Sequence, residues 1–261
     1  MKIWKRLLVL VALGCVAQCA LAGEEKLDLY LLIGQSNMAG RGEVEARDKE
    51  APERVFTLNK GNEWVPAVDP LHFDKKQAGV GPGRTFGIAI AKADKSVRVG
   101  LIPCAVGGTS IRKWKPGVED PKTGAHPYDD MLARLKVAMK SGTVRGILWH
   151  QGEADGKMGE KGNYGKALTE LIGRVRAECG GAEVPFLIGQ LGQFEGRPWS
   201  EGREKVDAAQ RKVAESVPHC GFVSSDGLED RGDLTHFSAE AARELGKRYA
   251  DAMIKIQQKD K

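Results

Sequence analysis

The feature that most limits what this chain can fold into is an alternation. Five short apolar runs, at residues 27–33, 97–103, 144–149, 185–191 and 221–224, alternate with segments of helical period at residues 84–93, 128–140, 164–179, 201–216 and 238–256. In the second helical segment, Tyr128, Met131, Leu132, Leu135 and Met139 recur at three- and four-residue steps, as one face of an amphipathic helix requires. Strand–helix alternation of this kind predicts a parallel sheet with helices on both faces. Ligands of such sheets bind beyond the carboxyl ends of the strands. Residues 42–83 break the pattern with several prolines, Glu43, Glu45, Arg47, Trp64 and His72. One strand is expected there, at residues 54–58, and the rest reads as the wall of a pocket. There is no internal repeat, and Gly79-Val80-Gly81-Pro82-Gly83 lacks the context of a dinucleotide fingerprint.

The first residues set the compartment. Lys2, Lys5 and Arg6 precede an apolar core that begins at Leu7, and Ala20-Leu21-Ala22 is a small-x-small cleavage site before Gly23. Residues 1–22 are expected to be a signal peptide and residues 23–261 one α/β domain, periplasmic or extracellular after cleavage. The apolar stretch is short for a membrane span and holds Gln18. A lipid anchor at Gly14-Cys15 is the alternative, with few apolar residues ahead of it. The formal charge of +5 includes the three cations of this leader. What remains is no footprint for nucleic acid or an anionic membrane. Cys104, Cys179 and Cys220 survive cleavage, and in an exported protein Cys179 and Cys220 can pair. Their spacing is not that of a zinc site, so neither metal nor cofactor is expected.

Four polar blocks follow strand ends. The first, Gly34-Gln35-Ser36-Asn37-Met38-Ala39-Gly40, places a serine in a Gly-bounded turn directly after an apolar run. A serine hydroxyl is a weak nucleophile and needs a base and an oxyanion site; its bland role would be to cap a short helix. Gly107-Gly108-Thr109-Ser110 offers backbone N–H groups that can approach a ligand closely, or is a plain turn. His150-Gln151-Gly152-Glu153 supplies an amide donor and a carboxylate where packing alone would not ask for them. In Asp233-Leu234-Thr235-His236 a three-residue gap can bring carboxylate and imidazole together. Asp233 would then accept from Nδ1 and leave Nε2 facing Ser36. His72, His126 and His219 read as loop or strand-edge residues.

Together, in this order, the blocks resemble the SGNH hydrolase superfamily, and within it the sialate O-acetylesterase-like branch that includes carbohydrate esterase family 6. The resemblance implies a flavodoxin-like three-layer α/β/α domain with a five-stranded parallel sheet, and metal-independent serine hydrolysis of acetyl esters on a carbohydrate substrate. It makes Ser36 the nucleophile and His236 the general base. The amides of Ser36 and Gly108 and the side chain of Gln151 would form the oxyanion hole. Asp233 is the expected acid, with Glu153 as second catalytic candidate. Gln35, Asn37 and Arg41, which flank the serine, are expected to bind substrate, while Trp64, Trp114 and Gln193 could reach the mouth. A general short-chain carboxylesterase and a non-catalytic glycan-binding relative are the competing functions. The oligomeric state stays open.

Overall fold

The computed structural model describes residues 26–157 and 163–259; the expected signal peptide and Cys15 lie outside them. The chain runs β1 (Leu27–Gly34), α1 (Ser36–Ala39), β2 (Val55–Leu58), β3 (Trp64–Pro66), α2 (Pro82–Ala93), β4 (Val99–Pro103) and α3 (Pro127–Ala138). It continues with β5 (Gly142–His150), α4 (Glu153–Lys157), α5 (Tyr164–Cys179), β6 (Phe186–Gly189), α6 (Glu201–Ser216), β7 (Cys220–Val223) and α7 (Ala239–Lys259).

The five expected strands lie side by side and parallel in the order β4-β1-β5-β6-β7. Numbered among themselves this is 2-1-3-4-5, the flavodoxin-like order, whose switch point lies between the first and third strands. The sheet has seven strands rather than five. β2 joins β4 in parallel, and β3 closes that edge antiparallel to β2. Only β2 announces itself in sequence; β3 is a three-residue edge strand ending at Pro66, where a missing N–H costs the ladder little.

Side-chain alternation along β1 divides the core. Leu29, Leu31 and Ile33 face a cluster with Met131 and Leu135 of α3, Leu168 and Leu171 of α5 and Val206 of α6. Tyr30 and Leu32 face the opposite cluster, with Phe86 of α2 and Leu245, Tyr249 and Met253 of α7. The period of two in strands and 3.6 in helices thus builds three layers. Trp114 belongs to this interior and not to a pocket mouth: it is fully buried, with its ring edge-on to Trp149 at 5.3 Å between centroids. Trp64 sits in β3 and packs on the first cluster. Cys104, Cys179 and Cys220 are all free thiols, so the bridge considered between the last two is absent. Among the described residues no helix is long and apolar enough to cross a membrane.

Candidate active site

The carboxyl ends of β1 and β5 meet at the switch point. Gly34 ends β1 at φ +130°, and a side chain there would run into the His150 backbone. Only glycine lets the two strands approach this closely. The turn that follows delivers Ser36 to the first position of α1, with Gln35 as N-cap. This first-turn position leaves the Ser36 backbone N–H without an intrahelical partner.

The loop between β7 and α7 brings Asp233 and His236 to the serine. Asp233 Oδ1 accepts the backbone N–H groups of Thr235 (2.9 Å) and His236 (2.8 Å), which folds the segment into a tight turn. Its other oxygen, Oδ2, lies 2.7 Å from His236 Nδ1, and His236 Nε2 lies 3.0 Å from Ser36 Oγ. An ionised carboxylate can only accept, so the imidazole proton belongs on Nδ1, and Nε2 presents its lone pair to the hydroxyl. Burial works to raise the Asp233 pKa, but the hydrogen bonds and charge of His236 outweigh it and hold the carboxyl below its usual value. The arrangement can take a proton from Ser36 as its oxygen attacks.

Glu153 does not reach this histidine. Its Oε1 accepts from Asn37 Nδ2 at 2.6 Å and stands 3.8 Å from His150 Nε2. His150 is fully buried, and desolvation lowers its pKa against the opposing pull of Glu153. Asn37, expected at the substrate, is instead a buried strut. Besides Glu153 it donates to Thr235 O at 3.1 Å and accepts from Phe237 N–H at 3.2 Å. It therefore grips the chain on both sides of His236.

Gln151 is also turned inward. Its Nε2 donates to Asp155 Oδ2 (2.6 Å) and Thr109 O (2.9 Å), with Gln35 Oε1 at 3.2 Å. Two amide hydrogens already have three acceptors, so none is left for an oxyanion. The Tyr164 hydroxyl donates toward Gln151 Oε1 and O, and Gln210 Nε2 donates to Gln151 O at 2.7 Å. Gln35 is buried too, accepting from Gln151 and from Ala154 N–H. Its place is in this scaffold rather than at a substrate surface.

The Gly107-Gly108 turn lies against the serine. A Cβ built on Gly107 would stand 3.6 Å from Ser36 Cβ and only 2.5 Å from Arg41 Nη2. Gly107 N–H donates to Asp74 Oδ2 at 2.9 Å, and Arg41 closes on the same oxygen at 2.7 Å. Arg41 and Asp74 are both buried, so this cation holds the turn and does not extend toward solvent. Gly108 has φ +86° with open space on its α-carbon. Its N–H and that of Ser36 donate to no acceptor among the described residues. Asp155 braces the far end of the turn, accepting from Ser110 Oγ at 2.7 Å and Ile111 N–H at 3.0 Å. Asp74, Asp155, Tyr164 and Gln210 escaped sequence reasoning; only Asp155 carried a signal, two residues beyond Glu153. Among the described residues no group of three or more His, Cys, Asp or Glu gathers to hold a metal.

A family model described as carbohydrate esterase, sialic acid-specific acetylesterase matches residues 26–255. A probable carbohydrate esterase of Arabidopsis thaliana is 32% identical over 248 residues, which cover 87% of this chain and 90% of that protein. The X-ray structure of an Arabidopsis thaliana protein matches with a TM-score of 0.77 at 28% identity, covering 88% of this chain and 99% of the other. The crystal structure of a carbohydrate acetylesterase from Xanthomonas citri shares the fold with a TM-score of 0.69 at 21% identity, over 89% of this chain and 57% of that one. Matched over nearly all of its described length, the chain belongs to the carbohydrate esterase family described as sialic acid-specific acetylesterase, and it is an ester-hydrolysing enzyme on a three-layer α/β/α fold.

Proposed function

We propose that this enzyme removes acetyl groups from acetylated carbohydrates through a serine acyl-enzyme, and that it works outside the cytoplasm once residues 1–22 are cleaved. The observation that carries the chemistry is the line of contacts from Asp233 through His236 to Ser36, 2.7 Å and then 3.0 Å. Ser36 Oγ attacks the acetyl carbonyl while His236 Nε2 takes its proton. The carbonyl oxygen becomes an oxyanion held by the N–H groups of Ser36 and Gly108. His236 then gives the proton to the departing sugar oxygen, leaving an acetyl ester on Ser36. Water repeats the sequence, His236 taking its proton, and acetate leaves as Ser36 recovers its hydrogen.

The oxyanion role first expected of Gln151 passes to the two backbone donors. Gln151 serves by fixing Thr109 and Asp155, and through them the glycine turn. Removing an oxyanion donor costs about 3 kcal/mol, a hundredfold or more in rate.

The test is acetate release from 4-nitrophenyl acetate, acetylated xylan and an O-acetylated sialic acid, comparing wild type with Ser36→Ala. Turnover of a glycan that disappears in the variant is the expected result. Equal rates in both proteins would remove Ser36 from the mechanism. Turnover of 4-nitrophenyl acetate alone would make this a short-chain carboxylesterase, and glycan affinity without turnover would make it a binding protein.

A further inference from the structure

A cavity of about 210 Å³ opens beside the glycine turn, between residues 72–74, the end of β4 and the start of α3. Its wall includes Asp74, which holds Gly107 N–H, and Val106, the residue before Gly107. The cavity therefore abuts the glycine turn that lies against Ser36. The volume is below the roughly 300–1,000 Å³ that encloses a drug-sized ligand, and it suits one ring.

The lining combines an apolar body with a few polar atoms. Pro103, Ala105, Val106 and Met131 supply the body. His72 is buried, and its Nε2 has no hydrogen-bond partner. The ring bonds to the Leu32 backbone through its other nitrogen, and desolvation by burial lowers its pKa to about 4 against the opposing charge of Asp74. Nε2 is thus an unpaired lone pair buried in the wall of the cavity, which a hydroxyl reaches when the wall shifts. Asp130 lines the same cavity and commits one oxygen, Oδ2, to His126 N–H at 2.9 Å. At the edge stands Phe73, 39% exposed, with the Arg134 guanidinium 4.7 Å from its ring centroid. Hydroxyl acceptors, apolar walls and an aromatic edge match the two faces of a sugar ring.

Charge narrows the choice of sugar. Asp74 and Asp130 are the acids of the lining and Arg134 its cation. Arg134 spends four of its five N–H donors on Pro103 O, Asn59 O, Asn62 Oδ1 and Leu58 O, at 2.6–3.1 Å. Arg41, behind Asp74, is closed on that carboxylate. Among the described residues no cation of the lining is turned toward a ligand carboxylate, so burying such a carboxylate here would cost its hydration without a partner.

We propose that this cavity is the subsite for the sugar ring of the ester, and that it takes a neutral pyranose in preference to a carboxylated sugar; this rests on the carbohydrate esterase reading above. His72 acts there as a specificity residue that accepts a ring hydroxyl, and Phe73 covers the ring.

The experiment measures kcat/KM for acetate release from a monoacetylated methyl β-xyloside, from 9-O-acetyl-N-acetylneuraminic acid and from 4-nitrophenyl acetate. Wild type should favour the xyloside over the sialic acid by tenfold or more. In His72→Leu and Phe73→Ala, the ratio of xyloside to 4-nitrophenyl acetate activity should fall by tenfold or more, mainly through KM. Preference for the sialic acid, or unchanged ratios in both variants, overturns the proposal while leaving a carbohydrate esterase in place. Hydrolysis of 4-nitrophenyl acetate with neither sugar turned over overturns the carbohydrate reading and this one with it. Should His72→Leu fail to fold, the ¹⁵N resonance of His72 Nε2 in the wild-type protein decides. It should shift saturably with methyl β-xyloside and not with N-acetylneuraminic acid; the reverse overturns the assignment.

Discussion

Asn37 and Glu153 are joined by a buried hydrogen bond of 2.6 Å that links the serine turn to the end of β5. The same asparagine holds Thr235 O and Phe237 N–H, one residue to either side of His236. Serine and histidine, 200 positions apart in the chain, are thus registered by one side chain that touches neither of their reacting atoms.

Asn37→Ala should therefore lower both stability and kcat. It strands a buried carboxylate oxygen, a carbonyl and an N–H, and each such loss costs about 1–3 kcal/mol. Because Glu153 depends on the same bond, Glu153→Ala should add much less in the Asn37→Ala background than alone. A coupling of about 0.5–3 kcal/mol in a double-mutant cycle is expected. Strict additivity would mean that Asn37 and Glu153 act separately.

Asp233 and Glu153 can be ranked by kinetics. Asp233→Asn removes the charge that keeps the His236 proton on Nδ1, and kcat should fall by about 10²–10⁴. The Asp233 side chain is 41% exposed, so water partly replaces it and the lower part of that range is expected. Glu153→Gln keeps an oxygen facing Asn37 and should cost less than about tenfold. Since the histidine's hydrogen bonds and charge outweigh burial and hold the Asp233 carboxyl low, Asp233 is ionised above about pH 5 and a deficit in Asp233→Asn should be present throughout that range. The opposite ranking would make Glu153 the acid.

What could be read from the chain was whatever its neighbours along the chain decide. The five central strands and their helices follow from periodicity, and the contact between Asp233 and His236 follows from a three-residue spacing. The serine turn was legible because glycine, serine and glycine follow a run that can only be a strand. The roles of Gln35, Asn37, Arg41 and Gln151 were not, because each is set by a distant partner. Asp74 lies 33 positions from Arg41, and Gln210 lies 59 from Gln151. A polar residue beside a nucleophile looks like a ligand contact until its partners are placed. Here they turn it inward and make it scaffold. The insertion at residues 42–83 was readable as a wall holding one strand, at residues 54–58; the edge strand β3 is too short to show a period.

Two glycines separate fold from chemistry. Gly34→Ala meets the His150 backbone at φ +130°, and neither strand can yield without breaking the sheet. No soluble folded protein is expected. Gly108→Ala meets nothing within 4 Å, but it forces an L-residue to φ +86°, worth about 1–2 kcal/mol. The variant should fold, with a modestly lower Tm. Its kcat should fall as the strain tilts the N–H proposed to hold the oxyanion, by up to about 10²–10³. Full activity in Gly108→Ala would remove that N–H from the mechanism.

Asp69 gives the fold a dependence on pH away from the site. The residue is buried, and its Oδ1 has no hydrogen-bond partner. Desolvation lifts its pKa to about 7, with Arg84 opposing and Asp48 adding to the rise. In the unfolded chain the same carboxyl titrates near ~3.9. Between these values the unfolded state has released its proton while the folded state keeps it, so stability falls as pH rises through this window and levels off above it. Each unit is worth about 1.4 kcal/mol, and the whole span at most about 4 kcal/mol. Asp69→Asn removes this burden while keeping the shape of the side chain. Relative to wild type, its Tm should be close at pH 4 and higher by several degrees at pH 8, the gap opening between. A difference in Tm that is constant from pH 4 to 8 would show that Asp69 is ionised in the folded protein throughout. Its charge would then have to be balanced by Arg84, whose own hydrogen bonds go to Ala67 O and Glu50 O.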